Sequence, residues 1–149
     1  MVGCTFAGHR AVLSGGMDKR IHSALALILE KHHDICFYCG GMGEFDMLCA
    51  REARRLKRDN PDRNILIHLV LPYMMQKIQS AEKAPFELYD EIIVPDDADI
   101  IHYKQAITQR NRWMVNRSQY LIAHVVRHGG AWNTLKYAEK KNLIVYNLI

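Results

Sequence analysis

Apolar residues along the chain fall into short continuous runs that alternate with stripes at helical spacing. The runs are Val2–Ala7, Ile35–Cys39, Ile65–Leu71, Glu91–Val94, Tyr120–Val126 and Leu143–Leu148. The first five end at or near turn residues: Gly8, Gly40-Gly41, Pro72, Pro95 and Gly129-Gly130. Short apolar runs closed by turn residues predict strands. Between them, Ile21, Ala24, Leu25, Ile28 and Leu29 recur at steps of three and four, as do Phe45, Leu48, Cys49, Ala53 and Leu56. That spacing puts each set on one helix face. The second helix is expected to stop at Asn60-Pro61. Tyr103, Ala106, Ile107, Trp113 and Met114 predict a third helix, and Ala131, Leu135 and Ala138 a short fourth. Met74–Leu88 fits either a loop or a short helix.

Strands that read as unbroken apolar runs are buried on both faces, which requires a parallel sheet with helices on either side. The expected fold class is α/β: a Rossmann-like three-layer sandwich with a mostly parallel six-stranded sheet. The 149 residues carry no repeat, linker or composition shift, so one domain over 1–149 is expected.

Composition changes this picture little. Hydrophobic residues make up 49% and charged residues 24%, with a net charge of +4. The opening Met1–Phe6 lacks the basic head and apolar stretch of a signal peptide, and no apolar run reaches membrane-spanning length. A cytoplasmic protein without membrane contact is expected. Cys36 and Cys39 have metal or redox spacing, but residues three apart on a strand face opposite ways. Together with Cys4 and Cys49 they read as buried thiols, with neither zinc nor disulfide. His32-His33 lacks companions for a metal, and His102, His124 and His128 read as loop or edge residues. The basic run Arg51, Arg54, Arg55, Lys57 and Arg58 is interrupted by Glu52 and reads as a solvated helix face before a nucleic-acid patch.

Candidate chemistry gathers at the glycines. Gly8, then Gly40, Gly41 and Gly43, then Gly129 and Gly130 all follow predicted strands and precede helices. Ligands of open parallel sheets bind beyond the carboxyl ends of the strands. Glycine lets backbone amides approach an anion, and helix N-termini attract phosphate. Neither a G-x-G-x-x-G fingerprint nor a G-x-x-x-x-G-K-[ST] loop is present. Arg110 falls within the apolar stripe of its helix, so it needs an internal partner, such as Asp46 or Asp99, or a ligand. Arg117, at the end of that helix, can snorkel. His9, Glu44 and Asp46 stand at strand ends as acid–base candidates or as ligand and cap residues.

These motifs resemble the SLOG superfamily, which includes DNA-processing protein A and the LONELY GUY enzymes, and most of all its YpsA-like branch. The resemblance rests on Thr5-Phe6-Ala7-Gly8-His9-Arg10, Gly40-Gly41-Met42-Gly43-Glu44-Phe45-Asp46 and Leu69-Val70-Leu71-Pro72-Tyr73. It continues through Tyr89-Asp90, Asp99, Arg110-Asn111-Arg112-Trp113-Met114-Val115, Gly129-Gly130, Thr134 and Tyr137-Ala138. It implies a nucleotide-type ligand over the glycine loops, held by Gly8, His9, Arg10, Gly40, Gly41, Gly43, Glu44, Asp46, Arg110, Gly129, Gly130 and Thr134. It also implies a homo-oligomer. LONELY GUY phosphoribohydrolases pair an R-K-x-x-M arginine with the glutamate of P-G-G-x-G-T-x-x-E. Here Arg110 and Met114 fit the first segment with Asn111 in place of lysine, but Tyr137 stands where the glutamate belongs. A tyrosine hydroxyl does not supply a carboxylate's charge at neutral pH. The expected function is therefore nucleotide binding, as a sensor or regulatory module. The alternatives are a phosphoribohydrolase-like enzyme relying on Glu44 or Asp46, and a single-strand nucleic-acid binder stacking bases on Trp132 or Tyr73.

Overall fold

The computed structural model describes residues 1–11, 15–72, 87–95 and 103–149. The expectations for Tyr73, for most of Met74–Leu88, and for Asp99 and His102 lie outside the described residues.

Six strands form one sheet: β1 (Val2–Gly8), β2 (Asp34–Cys39), β3 (Asn64–Val70), β4 (Glu91–Ile93), β5 (Tyr120–His124) and β6 (Ile144–Asn147). Their order is β4-β3-β2-β1-β5-β6, and every pair is parallel. Among the described residues, four helices lie between strands: α1 (Met17–Lys31), α2 (Glu44–Asp59), α3 (Tyr103–Asn116) and α4 (Gly130–Lys140). The expected α/β, three-layer, Rossmann-like fold is the one observed. β3 and β5 end one and two residues short of their apolar runs, because Leu71 and Val125 stay buried after the ladder has ended.

Alternation along the strands divides the core between two faces. Cys4 and Phe6 of β1, Ile35, Phe37 and Cys39 of β2, and Tyr120 and Ile122 of β5 pack with α1 and α2. Ala7, Leu121 and Ala123 face the other way, toward Val115 of α3 and Leu135 and Ala138 of α4. Cys36 also faces away from the α1–α2 core, with its Sγ 3.5 Å from His68 Nδ1. All four cysteines are buried free thiols.

The chain runs outward through β1, β2, β3 and β4, then returns to place β5 on the other side of β1. The β1–β5 junction is thus the switch point of the sheet, where the carboxyl ends of open parallel sheets part to form a crevice. Gly8 pairs with His124 there. Gly8 is dictated by packing: a Cβ at this position would overlap the ring of Phe45, which α2 lays across the end of β1. Replacing Gly8 with Ala must push α2 away from the sheet, and overpacking of this kind costs about 1–3 kcal/mol. Urea unfolding of Gly8→Ala should show a loss of that size.

Candidate functional site

The carboxyl edge holds a cleft of about 290 Å3 lined by residues from two strand ends and three helices. Gly8, His9 and Arg10 follow β1, Gly40 and Met42 follow β2, and Asp46 lies in the first turn of α2. Arg110 and Asn111 come from α3, and Gly130, Ala131 and Thr134 from α4. Eight of the twelve residues expected at the site therefore share one cleft. The other four, Gly41, Gly43, Glu44 and Gly129, stand at the same edge outside its lining. Met42 and Asn111 are lining residues that periodicity did not single out.

The three glycine clusters prove chemically different. At the first α2 turn, Asp46 turns its carboxylate back onto the loop, accepting from the amides of Gly40 at 3.1 Å and Gly41 at 2.6 Å. These amides, expected to cradle a ligand anion, already hold an internal one. Burial pushes the Asp46 carboxyl above its usual range, opposed by the two amide bonds and by the charge of Arg110. The N-terminus of α2 is likewise occupied, because Glu44 N–H donates to the Arg10 carbonyl at 2.8 Å. Gly43 permits this approach: its φ is +91°, and a Cβ would stand 3.0 Å from the Arg10 Cα.

The Gly129-Gly130 cluster differs. Gly129 caps α4 without a side-chain hydrogen bond, and nothing lies within 4 Å of a Cβ built on either glycine. Both residues are exposed. The first turn of α4 thus presents its amides and the positive end of the helix dipole beside the cleft. Thr134, one turn in, is buried and donates its hydroxyl to the Gly130 carbonyl at 3.1 Å.

Arg110 is only 4% exposed, as its place in the stripe implied. Its guanidinium donates through one Nη to the carbonyls of Gly40 and Val70, both at 2.9 Å, and through Nε to Asn111 Oδ1 at 2.9 Å. The expected carboxylate partners were Asp46 and Asp99. Asp46 is near enough to feel the charge, and Nη1 anchors the guanidinium to backbone oxygens at the ends of β2 and β3. Arg110 is therefore a structural clamp as well as a wall of the cleft.

His9 is 9% exposed, and its Nε2 accepts the Val126 N–H at 3.0 Å. That bond places the proton of the neutral ring on Nδ1. Burial lowers its pKa, helped by the nearby Arg127 and His124. His124 is lowered in the same way by burial, with Arg20 and Arg127. His9 and Asp46 thus line one cleft, each held by backbone groups, while Glu44 stands outside it.

Tyr137 Oη bonds to Asn116 Oδ1 at 2.8 Å. The indole of Trp132 stacks against His128 at 4.4 Å, with Lys136 Nζ 4.4 Å from the ring centroid. Arg117 lies over the Trp113 ring at 3.7 Å. On the basic face of α2, Arg54 and Lys57 reach Asp90, Arg55 reaches Glu52, and Arg58 reaches Asp59. Among the described residues, no helix is long and apolar enough to cross a membrane, and no group of three His, Cys, Asp or Glu converges as a metal site.

The geometry defines an open Rossmann-like α/β protein with its cleft at the switch point. DNA processing protein A from Helicobacter pylori, described for its single-stranded DNA binding mode, has a similar structure: TM-score 0.68, 12% identity, covering 97% of this chain and 63% of that one. The chain thus spans less than two thirds of that protein. TM1055, a structural-genomics target, is similar at TM-score 0.59 and 12% identity, covering 97% of this chain and 72% of that one. Both likenesses are of fold, and the fold is the Rossmann-like α/β fold expected from the sequence. No family model and no curated protein matches the sequence.

Two outcomes follow for the clamp and the imidazole. Arg110→Met strips donors from two buried carbonyls, and urea unfolding should register a loss of about 2–4 kcal/mol. For His9, the folded pKa lies below the ordinary value of about 6.5, so the unfolded chain takes the proton first. Its contribution to stability is complete above that value and is lost as pH falls. Melts between about pH 7 and pH 5 should show a decline that is shallower in His9→Asn.

Proposed function

We propose that the protein binds a nucleotide or nucleotide-derived phosphate ligand in the switch-point cleft, with a phosphate on the first turn of α4. The observation that carries this reading is the contrast among the glycine clusters. The loop after β2 and the start of α2 that follows it are closed by internal partners, Asp46 and the Arg10 carbonyl, while Gly129-Gly130 leaves an uncapped helix start open beside the cleft. An open helix N-terminus next to a polar cleft is suited to phosphate. The role is that of a sensor or regulatory module. Tyr137 occupies the position of the hydrolase glutamate, and His9 and Asp46 are both engaged by backbone amides.

Single-stranded nucleic acid is the second reading, favoured by the fold shared with DNA processing protein A. Opposing it, most of the α2 basic run is already paired with carboxylates. The Trp132 ring is likewise engaged by His128 and Lys136.

Gly130→Asp tests the proposal cleanly. Gly130 has no left-handed φ and open space where a Cβ would go. An aspartate at the helix start stabilises by about 0.3–1 kcal/mol through the dipole while placing a negative charge where the phosphate would sit. Calorimetric titration with ribonucleoside 5′-monophosphates should show affinity falling at least about tenfold, or about 1.4 kcal/mol, with the melting temperature unchanged or raised. Unchanged nucleotide affinity in Gly130→Asp would refute the placement. Binding of an oligothymidylate alone, with every mononucleotide silent, would favour the second reading.

A further inference from the structure

A second, smaller pocket opens from the cleft between α3 and α4. It measures about 80 Å3 and is lined by Ile107, Thr108, Asn111, Arg112, Gly130, Asn133, Thr134 and Tyr137. Ile107, Asn111, Gly130 and Thr134 line both spaces, so the pocket continues the cleft past the start of α4. Its walls follow from helical spacing. Gly130, Asn133, Thr134 and Tyr137 form one stripe of α4, and Thr108, Asn111 and Arg112 form the facing stripe of α3.

Two cations flank the Tyr137 ring of the far wall, Arg112 lining the pocket and Lys141 standing behind its lining. Arg112 Cζ lies 5.0 Å from the centroid of the Tyr137 ring, and Lys141 Nζ lies 5.5 Å from the same centroid. Among the described residues, neither has a carboxylate within salt-bridge distance, whereas most basic residues of α2 do. Lys141 follows the last turn of α4 and is stabilised by that helix end. Arg112 has no such explanation, since it lies inside α3, with Lys141 as a like charge across one ring. One cation in the lining of a polar pocket and a second beside its Tyr137 wall raise the local potential in the empty protein, and an anion lowers it.

From this we infer that the α3–α4 pocket is a second phosphate subsite, so that the ligand class is a diphosphate-bearing nucleotide rather than a monophosphate. The first turn of α4 takes the phosphate nearer the nucleoside. Arg112 takes the next, and the amides of Asn111 and Asn133 line the space between. The pocket is too small for a base and sugar, which leaves the nucleoside to the larger cleft. This inference rests on the proposed nucleotide binding.

The test compares adenosine 5′-monophosphate with adenosine 5′-diphosphate by calorimetry on the full chain, and likewise guanosine, cytidine and uridine nucleotides. Wild type should bind the diphosphate of at least one base about tenfold or more tighter than its monophosphate. Arg112→Gln should erase most of that ratio while leaving monophosphate affinity and melting temperature unchanged, because Arg112 is exposed and touches Tyr137 only by its charge and face. Lys141→Gln should reduce the ratio less. Equal affinities for mono- and diphosphate in wild type, or a ratio that survives Arg112→Gln, would overturn the second subsite while leaving the first in place. Silence toward both classes of nucleotide would overturn the underlying reading and this inference with it.

Discussion

Gly40, the peptide that leaves β2, is bonded on both sides by oppositely charged side chains. Its amide donates to Asp46 and its carbonyl accepts from Arg110. Asp46 belongs to the helix that follows, Arg110 to a helix seventy residues further on, and Arg110 also reaches the carbonyl that ends β3. Backbone polar groups at the end of a buried strand must find partners once the ladder stops. Here two charged side chains supply them, and each partly offsets the burial of the other. The clamp fixes how β2, β3, α2 and α3 meet, and so fixes two walls of the cleft.

The same clamp decides where a ligand's charge can go. A glycine loop followed by a helix is a general anion site, and the chain contains it more than once. Asp46 fills the β2 version from within, and the Arg10 carbonyl closes the start of α2. The start of α4 has neither device. Its two glycines are exposed, uncapped and surrounded by open space. The start of α1 at Gly15-Gly16 is uncapped as well, but neither glycine lines the cleft, so of the two helix starts that do line it only that of α4 is open to a proposed phosphate.

The sequence made most of the fold legible, since apolar runs closed by glycine or proline mark five of the six strands and helical stripes mark four helices. The glycine clusters also fall at one edge of the sheet, as their places after strands implied. What they did not reveal was which of them were spoken for. Asp46 capping Gly40 and Gly41 depends on how the first turn of α2 folds back, and Gly8 answers to the ring of Phe45 rather than to a ligand. Arg110 was visible as a charge in an apolar stripe. Its acceptors, Gly40 and Val70, are backbone carbonyls seventy and forty residues away, which no side-chain pattern encodes. Met42 and Asn111 line the cleft because they neighbour Gly41 and Arg110, and neither carries a periodic signal of its own.

The central claim is that, of the glycine loops at the cleft, the one at the start of α4 is open to an anion while the one after β2 is sealed by Asp46. Amide-resolved NMR during titration with inorganic phosphate addresses it directly. The account predicts that the largest shifts fall on the amides of Gly130, Ala131 and Trp132, with those of Gly40, Gly41 and Glu44 nearly still. Larger shifts at Gly40 and Gly41 than at the start of α4 would contradict it.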